Sequence, residues 1–232
     1  MHERRLQPEI MDQPGLEERR HVQALRGLER INWLSGSCGI LWPDLLDLAR
    51  EQAGQPLRIL DVACGAGDLT IRLWKRARKA GLAWTVEGCD ISATALSHAR
   101  QRAASRGADV RFFQADVFAE PLSESYDAVI SSLFLHHLEE ARAVELLRHM
   151  AQSARSCVLI NDLERSTLGY WLAYVGTRLL SRSEVVHVDG PRSVEGAFTV
   201  AEARQLAEQA GLSGATVRKR WPCRYLLRWR RP

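Results

Sequence analysis

A glycine-spaced turn beside a carboxylate is the first stretch whose residue types and spacing suggest ligand chemistry. The turn 65–67, Gly-Ala-Gly, follows an apolar run that contains Asp61 and leads into a segment with helical periodicity. Its backbone can therefore approach a ligand closely, beside a helix N-terminus. A turn that binds pyrophosphate would carry a third glycine, but Thr70 occupies that position and Asp68 at the helix start would repel phosphate. The turn predicts a nucleoside-like ligand that lacks phosphate and carries a positive charge.

Two further carboxylates lie at predicted strand ends. Asp90 ends the second predicted strand, 29 residues after Asp61, and Asp116 follows the third. In a doubly wound sheet these ends open on the same crevice as the turn. Asp90 then suits ribose hydroxyls and Asp116 an adenine amino group, while Ile91 and Val117 supply apolar walls for a ring. Capping of the following helix is the alternative role for Asp90.

The elements that must position these residues follow from alternating apolar runs and helix-period segments. The pattern predicts an α/β fold: a Rossmann-like doubly wound sheet of seven strands with a C-terminal antiparallel hairpin and helices on both faces. The predicted parallel strands are 57–62, 84–89, 110–115, 126–132 and 157–162, and the hairpin strands are 214–220 and 223–229.

The chain divides into two predicted parts. Residues 1–55 form a helical lid or substrate segment, with its second helix beginning at Pro43, where a missing N–H does no harm. Residues 56–232 form the core domain, with a helical insertion at 163–190. A capping box of Thr199 and Glu202 opens the last predicted helix.

Composition limits the class of protein. The 232 residues carry a formal net charge of +4, but seven of the 32 Lys and Arg lie in the last fifteen residues, so only this end is basic. The five cysteines are scattered without a Cys-x-x-Cys pair, which argues against disulfides and against a zinc site. The N-terminus lacks the apolar core of a signal peptide. The sequence therefore predicts a cytoplasmic protein without a metal.

The stretch D-V-A-C-G-A-G, residues 61–67, together with the two spaced acids and the hairpin, resembles the class I S-adenosylmethionine-dependent methyltransferases. The resemblance covers roughly residues 57–230, with Ala63 in place of the motif's first glycine. It implies S-adenosyl-L-methionine as cofactor, with Gly65 and Gly67 against its methionine part, Asp61 on its amino group, and the two later acids on ribose and adenine. The implied cofactor-binding residues are Asp61, Ala63, Gly65, Gly67, Asp90, Ile91, Asp116, Val117, Ser132 and Leu133.

The segment after the fourth strand, SSLFLHHLEE, is where this family places residues near the transferring methyl. Residues 131–134 differ from the Asn/Asp-Pro-Pro-aromatic motif of amino-directed nucleic-acid enzymes, so base methylation loses its main support. His136 and His137 could remove a phenol or enol proton near neutral pH, and His137 is slightly favoured. Capping of the strand and the following helix is their alternative role. Quinone C-methyltransferases tend to carry Arg-Asn at these two positions.

The covering segments resemble methyltransferases encoded beside bacterial type III polyketide synthases. This implies O-methylation of a small phenolic or polyketide-derived, lipid-like acceptor. Open alternatives are C-methylation of a quinone-like acceptor, RNA methylation, and a non-catalytic cofactor-binding subunit. Five aromatic residues could line an acyl-chain pocket or simply pack the covering helices: Trp33, Trp42, Tyr170, Trp171 and Tyr174.

The basic end, RKRWPCRYLLRWRRP, has three interpretations. It could form an RNA-binding face, a solvated terminal hairpin, or a surface attracted to anionic membranes. The solvated hairpin is favoured over RNA binding, and peripheral membrane contact remains open. The sequence predicts no particular oligomeric state.

Overall fold

A seven-stranded sheet forms the centre of the computed structural model, which describes residues 3–12, 17, 19, 23–24, 27, 31, 36–119 and 125–232. The strand order is β3-β2-β1-β4-β5-β7-β6. The first five strands pair in parallel, whereas β7 is antiparallel to β5 and β6 is antiparallel to β7. The predicted fold class is confirmed, including the hairpin. The strands are β1 (Arg58–Val62), β2 (Thr85–Asp90), β3 (Arg111–Gln114), β4 (Tyr126–Ser132), β5 (Ala154–Leu163), β6 (Thr216–Arg220) and β7 (Arg224–Arg230).

Helices cover both faces of the sheet. Side chains alternate along each strand, so Leu60 and Val62 of β1 pack in a cluster with α4 and α7, while Ile59 packs with α1 and α2. The helices are α1 (Ser37–Glu51), α2 (Asp68–Lys79), α3 (Ala93–Ser105), α4 (Glu140–Ser153), α5 (Thr167–Leu180), α6 (Glu184–Gly196) and α7 (Val200–Gln209). The predicted capping box at Thr199 and Glu202 opens α7.

Helix α1 corrects one prediction. It begins at Ser37, so Pro43 lies inside the helix instead of at its start. Burial explains the earlier start, because Leu41 and Trp42 lie on the buried side of the helix with Leu45. Burying two such side chains contributes about 1.5–3 kcal/mol each, which offsets the roughly 3 kcal/mol cost of an interior proline. Most of the predicted first helix lies outside the described residues.

Two segments close over the carboxyl ends of the strands. The predicted insertion consists of α5 and α6 and extends to Gly196, beyond the expected end at residue 190. Residues 3–12, here called the N-terminal strap, run beside α6 and contain a short 3-10 helix at Ile10–Asp12. Two backbone N–H groups of the strap, those of Ile10 and Met11, donate to the carboxylate of Asp189 at 2.9 and 3.0 Å. These bonds fix the strap to the insertion.

Candidate active site

A cavity of about 970 Å³ opens at the carboxyl ends of the parallel strands. The strand order reverses between β1 and β4, which is where ligands bind in open α/β sheets. The volume is that of a small-molecule site. The structure brings eleven of the twelve predicted site residues to its wall: Asp61, Ala63, Gly65, Asp90, Ile91, Asp116, Val117, Ser132, Leu133, His136 and His137.

The turn after β1 has the backbone shape that close ligand approach requires. Gly65 has a φ of 53°, and a Cβ added there would meet nothing within 4 Å, so the turn is open at this point. Ala63 has a φ of 55° although it is not glycine. This left-handed conformation costs an alanine about 1–2 kcal/mol. Such strain concentrates at binding sites.

Gly67, the twelfth predicted residue, does not line the cavity. It is the N-cap of α2 with a φ of 74°. A Cβ there would lie 2.6 Å from Cζ of Phe112 and 3.0 Å from Cβ of Ala99. Glycine at this position lets the start of α2 pack against β3 and α3.

Asp61 is a buried carboxylate, with 1% of its surface exposed. Its Oδ2 accepts a hydrogen bond from Oγ1 of Thr70 at 2.7 Å. Burial, and to a lesser extent the charge of Asp90, raises the pKa of Asp61 to about 7, against the opposing effect of the Thr70 bond. Among the described residues, none of the groups that shift this pKa is a cation. A cationic ligand group in the cavity would therefore stabilise the ionised form.

Asp90 joins β2 to the glycine turn. Its Oδ2 accepts from the backbone N–H of Gly65 at 2.8 Å, and its Oδ1 accepts from that of Ser92 at 2.9 Å. Ser92 itself is the N-cap of α3, accepting from the N–H of Ala95. Each carboxylate oxygen can accept a further bond. Asp90 is thus held rigidly with acceptor capacity left for ligand hydroxyls.

The predicted ring-binding end of the cavity lies beyond β3. Asp116 is exposed, and its Oδ1 accepts from the backbone N–H of Phe118 at 2.9 Å. Ile91 is 63% exposed and Val117 is buried, and the two side chains give this end of the cavity an apolar wall. Phe118 also lines the cavity and was missed in the sequence analysis. Its position two residues after the strand-end acid Asp116 could have indicated that it lies at the site.

The end of β4 places two predicted residues beside the turn. Ser132 Oγ accepts from Nδ2 of Asn161 on β5 at 2.8 Å. Leu133 has a φ of 59°, and its N–H donates to the carbonyl of Asn161 at 3.0 Å. The strained leucine directs the chain into the short 3-10 helix Leu135–His137.

His136 is fixed by a buried acid. Its Nδ1 lies 2.6 Å from Oδ1 of Asp162 on β5, and both side chains are buried. Asp162 Oδ2 also accepts from the backbone N–H groups of Phe134 and Leu135. Burial alone would raise the pKa of Asp162, but the charge and hydrogen bond of His136 and the N–H of Leu163 hold it below its ordinary value. A carboxylate on Nδ1 leaves Nε2 as the proton acceptor of a neutral imidazole.

The N-terminal strap adds a residue that the sequence analysis missed. Glu9 Oε1 lies 3.8 Å from Nε2 of His136 and 3.8 Å from Nδ1 of His137. Oγ of Ser193 on α6 donates to this oxygen at 2.5 Å. The strap is held there by Arg4, which donates to the carbonyls of Gly196, His136 and Leu138 at 2.6–3.1 Å.

Glu9, His136 and His137 also form a possible metal-binding set. Their ligand atoms lie within 4.8 Å of one another, and a carboxylate with two imidazoles suits zinc or iron. The prediction that the protein needs no metal remains a prediction, and a chelator tests it below.

Four of the five aromatic residues predicted to line an acyl-chain pocket are described by the structure, and none of these four lies on the cavity wall. Trp42 is buried against Trp84, with ring centroids 5.0 Å apart. Tyr170, Trp171 and Tyr174 of α5 are absent from the wall, and Trp33 lies outside the described residues. The helix turns other residues inward because its period places them on a different face. These are Leu172, Ala173, Gly176, Thr177 and Leu180.

The basic end is largely integrated into the fold. Tyr225 and Trp229 are buried, so Trp221 is the one aromatic residue of residues 218–232 that is exposed for stacking on bases, and an RNA-binding face loses most of its support. The favoured solvated hairpin is also incorrect for β7, because this strand lies inside the sheet. Its arginines have protein partners: Arg224 donates to Ser37 at 2.7 Å, Arg228 pairs with Asp44 at 3.0 Å, and Arg230 pairs with Glu51 at 2.9 Å.

Comparison with known proteins identifies part of the chain as a methyltransferase domain. Residues 59–156 match a family model described as a methyltransferase domain. A demethylmenaquinone methyltransferase of Thermus thermophilus is 41% identical over 117 residues, which are 49% of this chain and 50% of that protein. A ubiquinone biosynthesis O-methyltransferase of Aeromonas salmonicida is 28% identical over 176 residues, 73% of this chain and 69% of that protein. The chain thus spans about half the length of the Thermus relative.

Solved structures show the same fold. Magnesium protoporphyrin IX methyltransferase from Synechocystis PCC 6803, crystallised with bound SAH, superposes with a TM-score of 0.58. The match covers 96% of this chain and 91% of that one at 18% identity. The sheet with its hairpin, the cavity at the reversal of strand order and the matched domain lead to one assignment. Residues 59–156 form a methyltransferase domain, in a chain that has the fold of the class I S-adenosylmethionine-dependent methyltransferases.

Proposed function

We propose that the protein transfers a methyl group from S-adenosylmethionine to an oxygen of a small phenolic, polyketide-derived or lipid-like acceptor. The observation that carries this proposal is the 2.6 Å contact between His136 Nδ1 and the buried Asp162 at the wall of the cavity. Methylation of a phenol oxygen requires loss of the phenol proton, and an imidazole oriented in this way can accept it.

The residues of the cavity fit the cofactor. Asp61 is a buried carboxylate whose pKa of about 7 favours a cationic partner, and the open side of Gly65 lies beside it. Asp90 offers acceptors to ribose hydroxyls. When bound, S-adenosylmethionine supplies a sulfonium methyl group that an acceptor oxygen displaces in line, leaving S-adenosylhomocysteine.

The protein's own part is then to position the acceptor and hold its proton. His136 Nε2 takes the phenol proton, while Asp162 fixes the ring and stabilises the imidazolium that forms. Glu9, at 3.8 Å from Nε2, adds a second negative charge on the same side. The strap and α5 exclude water from the acceptor end of the cavity.

C-methylation of a quinone-like acceptor is the second candidate. The similarity to the Thermus demethylmenaquinone methyltransferase favours it. A quinol carbon becomes nucleophilic when a neighbouring hydroxyl loses its proton, so the same histidine would serve. RNA methylation has less support, because the aromatic residues of β7 are buried.

Transfer of a tritiated methyl group tests the proposal. The purified chain is incubated with labelled cofactor and, separately, a panel of phenols, a quinol, a lipid extract and total RNA. Label in a phenol or lipid product, located on oxygen by NMR, is expected, and EDTA is expected to leave the rate unchanged. Label confined to RNA, or to carbon, would overturn the proposed substrate or atom, and loss of activity with EDTA would overturn the metal-free reaction.

Cofactor affinity is expected to rise with pH through the titration of Asp61. The ionised carboxylate binds the ligand's amino group, and a pKa of about 7 leaves it mostly protonated at pH 6. Between pH 6 and 7.5 the affinity for S-adenosylhomocysteine should increase by up to about tenfold. Calorimetry at both pH values measures this, and Asp61→Asn should flatten the dependence. An equally steep dependence in the variant would assign it to another group.

Release of the strap is expected to impair the acceptor side alone. Arg4→Ala removes the bonds to the carbonyls of Gly196, His136 and Leu138, so kcat/KM for the acceptor should fall more than tenfold. Affinity for S-adenosylhomocysteine should stay within twofold. Arg5→Ala is the matched control, since the Arg5 side chain is exposed. Equal losses in acceptor turnover and cofactor affinity would indicate a general structural role for the strap.

A further inference from the structure

Helix α5 carries an unusual amount of exposed apolar surface. Leu179 is 79% exposed and Trp171 is 57% exposed, whereas the buried residues of the helix are Gly169 and Thr177. A surface helix normally turns its apolar side to the core. In α5 the large apolar side chains instead face the solvent. A continuous exposed apolar face of this kind marks an interaction site. Its large exposed side chains are Leu168, Trp171, Leu172, Tyr174, Val175 and Leu179.

The turn between β6 and β7 extends this surface. Trp221 in the turn is 78% exposed. The turn packs against the start of α5, because a Cβ added to Gly169 would lie 3.1 Å from Cβ of Cys223. Trp221 and Leu172 both line the mouth of the cavity. The apolar helix and the tryptophan therefore lie on the same side of the molecule. We call α5 and residues 218–222 the apolar-basic surface.

The charges around the apolar-basic surface indicate which kind of partner it binds. Arg178 and Arg182 are exposed at the end of α5, and Arg218 and Lys219 are exposed on β6. Residues 165–183 and 213–232 contain no Asp or Glu. The guanidinium of Arg178 lies 3.5 Å from the centroid of the Tyr174 ring. Lys219 pairs with the buried Glu164, so the three arginines supply most of the positive charge at this border. Exposed leucines with tryptophan and tyrosine, bordered mainly by bases, are typical of helices that lie in an anionic membrane interface.

We propose that the apolar-basic surface docks the protein on an anionic lipid bilayer. The helix would lie in the plane of the interface, where its 14 residues extend about 21 Å. None of the helices in the described ranges combines the length and apolar character needed to cross a bilayer. A second copy of the chain is a poorer occupant, because a twofold contact would bring the same bases together. Each base near the surface adds to the attraction to anionic lipid.

Docking would also give the cavity access to lipid. Leu172, Gly176 and Leu180 of α5 line the cavity while their neighbours Trp171 and Leu179 form the exposed face. A lipophilic phenol could then pass from the bilayer to His136 along one helix. This route rests on the proposed function, whereas docking itself does not.

Vesicle co-sedimentation of the full chain tests the proposal. Binding to vesicles of phosphatidylcholine and phosphatidylglycerol in a 7:3 ratio is expected to be at least tenfold tighter than to phosphatidylcholine alone, and to weaken with salt. Leu179→Glu with Trp171→Glu should lower binding more than tenfold. Val188→Glu on α6 is the matched control, because Val188 is also an exposed apolar residue outside the cavity wall.

The outcomes separate docking from catalysis. The double variant should keep full activity on a water-soluble phenol, because neither replaced residue lines the cavity. Failure to bind anionic vesicles, or equal binding by the double variant, would overturn the proposal. Analytical ultracentrifugation that shows a dimer dissociated by the double variant, without vesicle binding, would assign the surface to a second copy. Absence of methyl transfer with intact vesicle binding would overturn only the proposed function.

Discussion

Replacing His136 with asparagine is expected to lower turnover about a hundredfold or more at neutral pH, with cofactor affinity unchanged. The asparagine amide can still donate to Asp162, so the bonds that this carboxylate accepts from the N–H groups of Phe134 and Leu135 should persist. The proton acceptor is lost. Because a free phenol has a pKa of about 10, the defect should shrink as the acceptor ionises at high pH. Single-turnover rates at pH 7 and 9.5, with calorimetry for S-adenosylhomocysteine, measure both effects.

His137→Asn is the matched control for this experiment. The sequence analysis slightly favoured His137 as the base, but the structure places the orienting carboxylate on His136. His137→Asn should therefore cost less turnover than His136→Asn. The reverse order would return the base to His137 and leave His136 a structural residue. A folded double variant with wild-type turnover at neutral pH would show that positioning alone carries the reaction.

Asp90→Ala is expected to weaken binding of S-adenosylhomocysteine more than tenfold. Hydrogen bonds to a charged group contribute about 1.5–3 kcal/mol, which corresponds to roughly 10- to 150-fold in affinity. The alanine also removes the acceptor for the N–H of Gly65, so the turn that contacts the ligand loses its link to β2. Both effects act in the same direction. Calorimetry on a variant shown to be folded by circular dichroism provides the measurement.

Two further variants provide reference values for the loss of affinity in Asp90→Ala. Asp90→Asn keeps one carbonyl acceptor, so its loss of affinity should fall between those of the wild type and the alanine variant. Asp116→Ala should cost less than Asp90→Ala, because Asp116 is exposed and its bound ligand group would remain partly hydrated. Unchanged affinity in a folded Asp90→Ala protein would remove Asp90 from the binding site.

The strands and the cofactor side of the cavity follow from local sequence signals. Short apolar or strand-like runs predicted all seven strands, and those of β1, β4 and β5 are nearly continuous because helices cover both faces of these central strands. The glycine turn and Asp90 could be found because strand ends of a doubly wound sheet share one edge. Gly67 shows the limit of such reasoning, since its contact with Phe112 depends on how β3 and α2 meet.

The acceptor side depends on contacts between distant segments. Glu9 lies 127 residues before His136, and the strap carries no local motif that indicates its partner. The sequence could have indicated Asp162 as a site residue, because a lone acid at the end of an apolar strand must pair with another group when it is buried. The pairing of Arg228 with Asp44 was equally inaccessible, since periodicity does not show which helix covers which strand. The partners of these residues are set by the tertiary structure and not by the local sequence.

The insertion of β7 between β5 and β6 has a consequence for synthesis on the ribosome. β5 carries Asp162 and has β4 on one side, but its other edge pairs with β7, which follows about 60 residues later in the sequence. Until β7 emerges, the nascent chain presents an apolar strand with unpaired N–H and C=O groups. Such an edge invites pairing with other chains. Chaperone dependence and aggregation should therefore be greatest for chains that stop between residues 164 and 223.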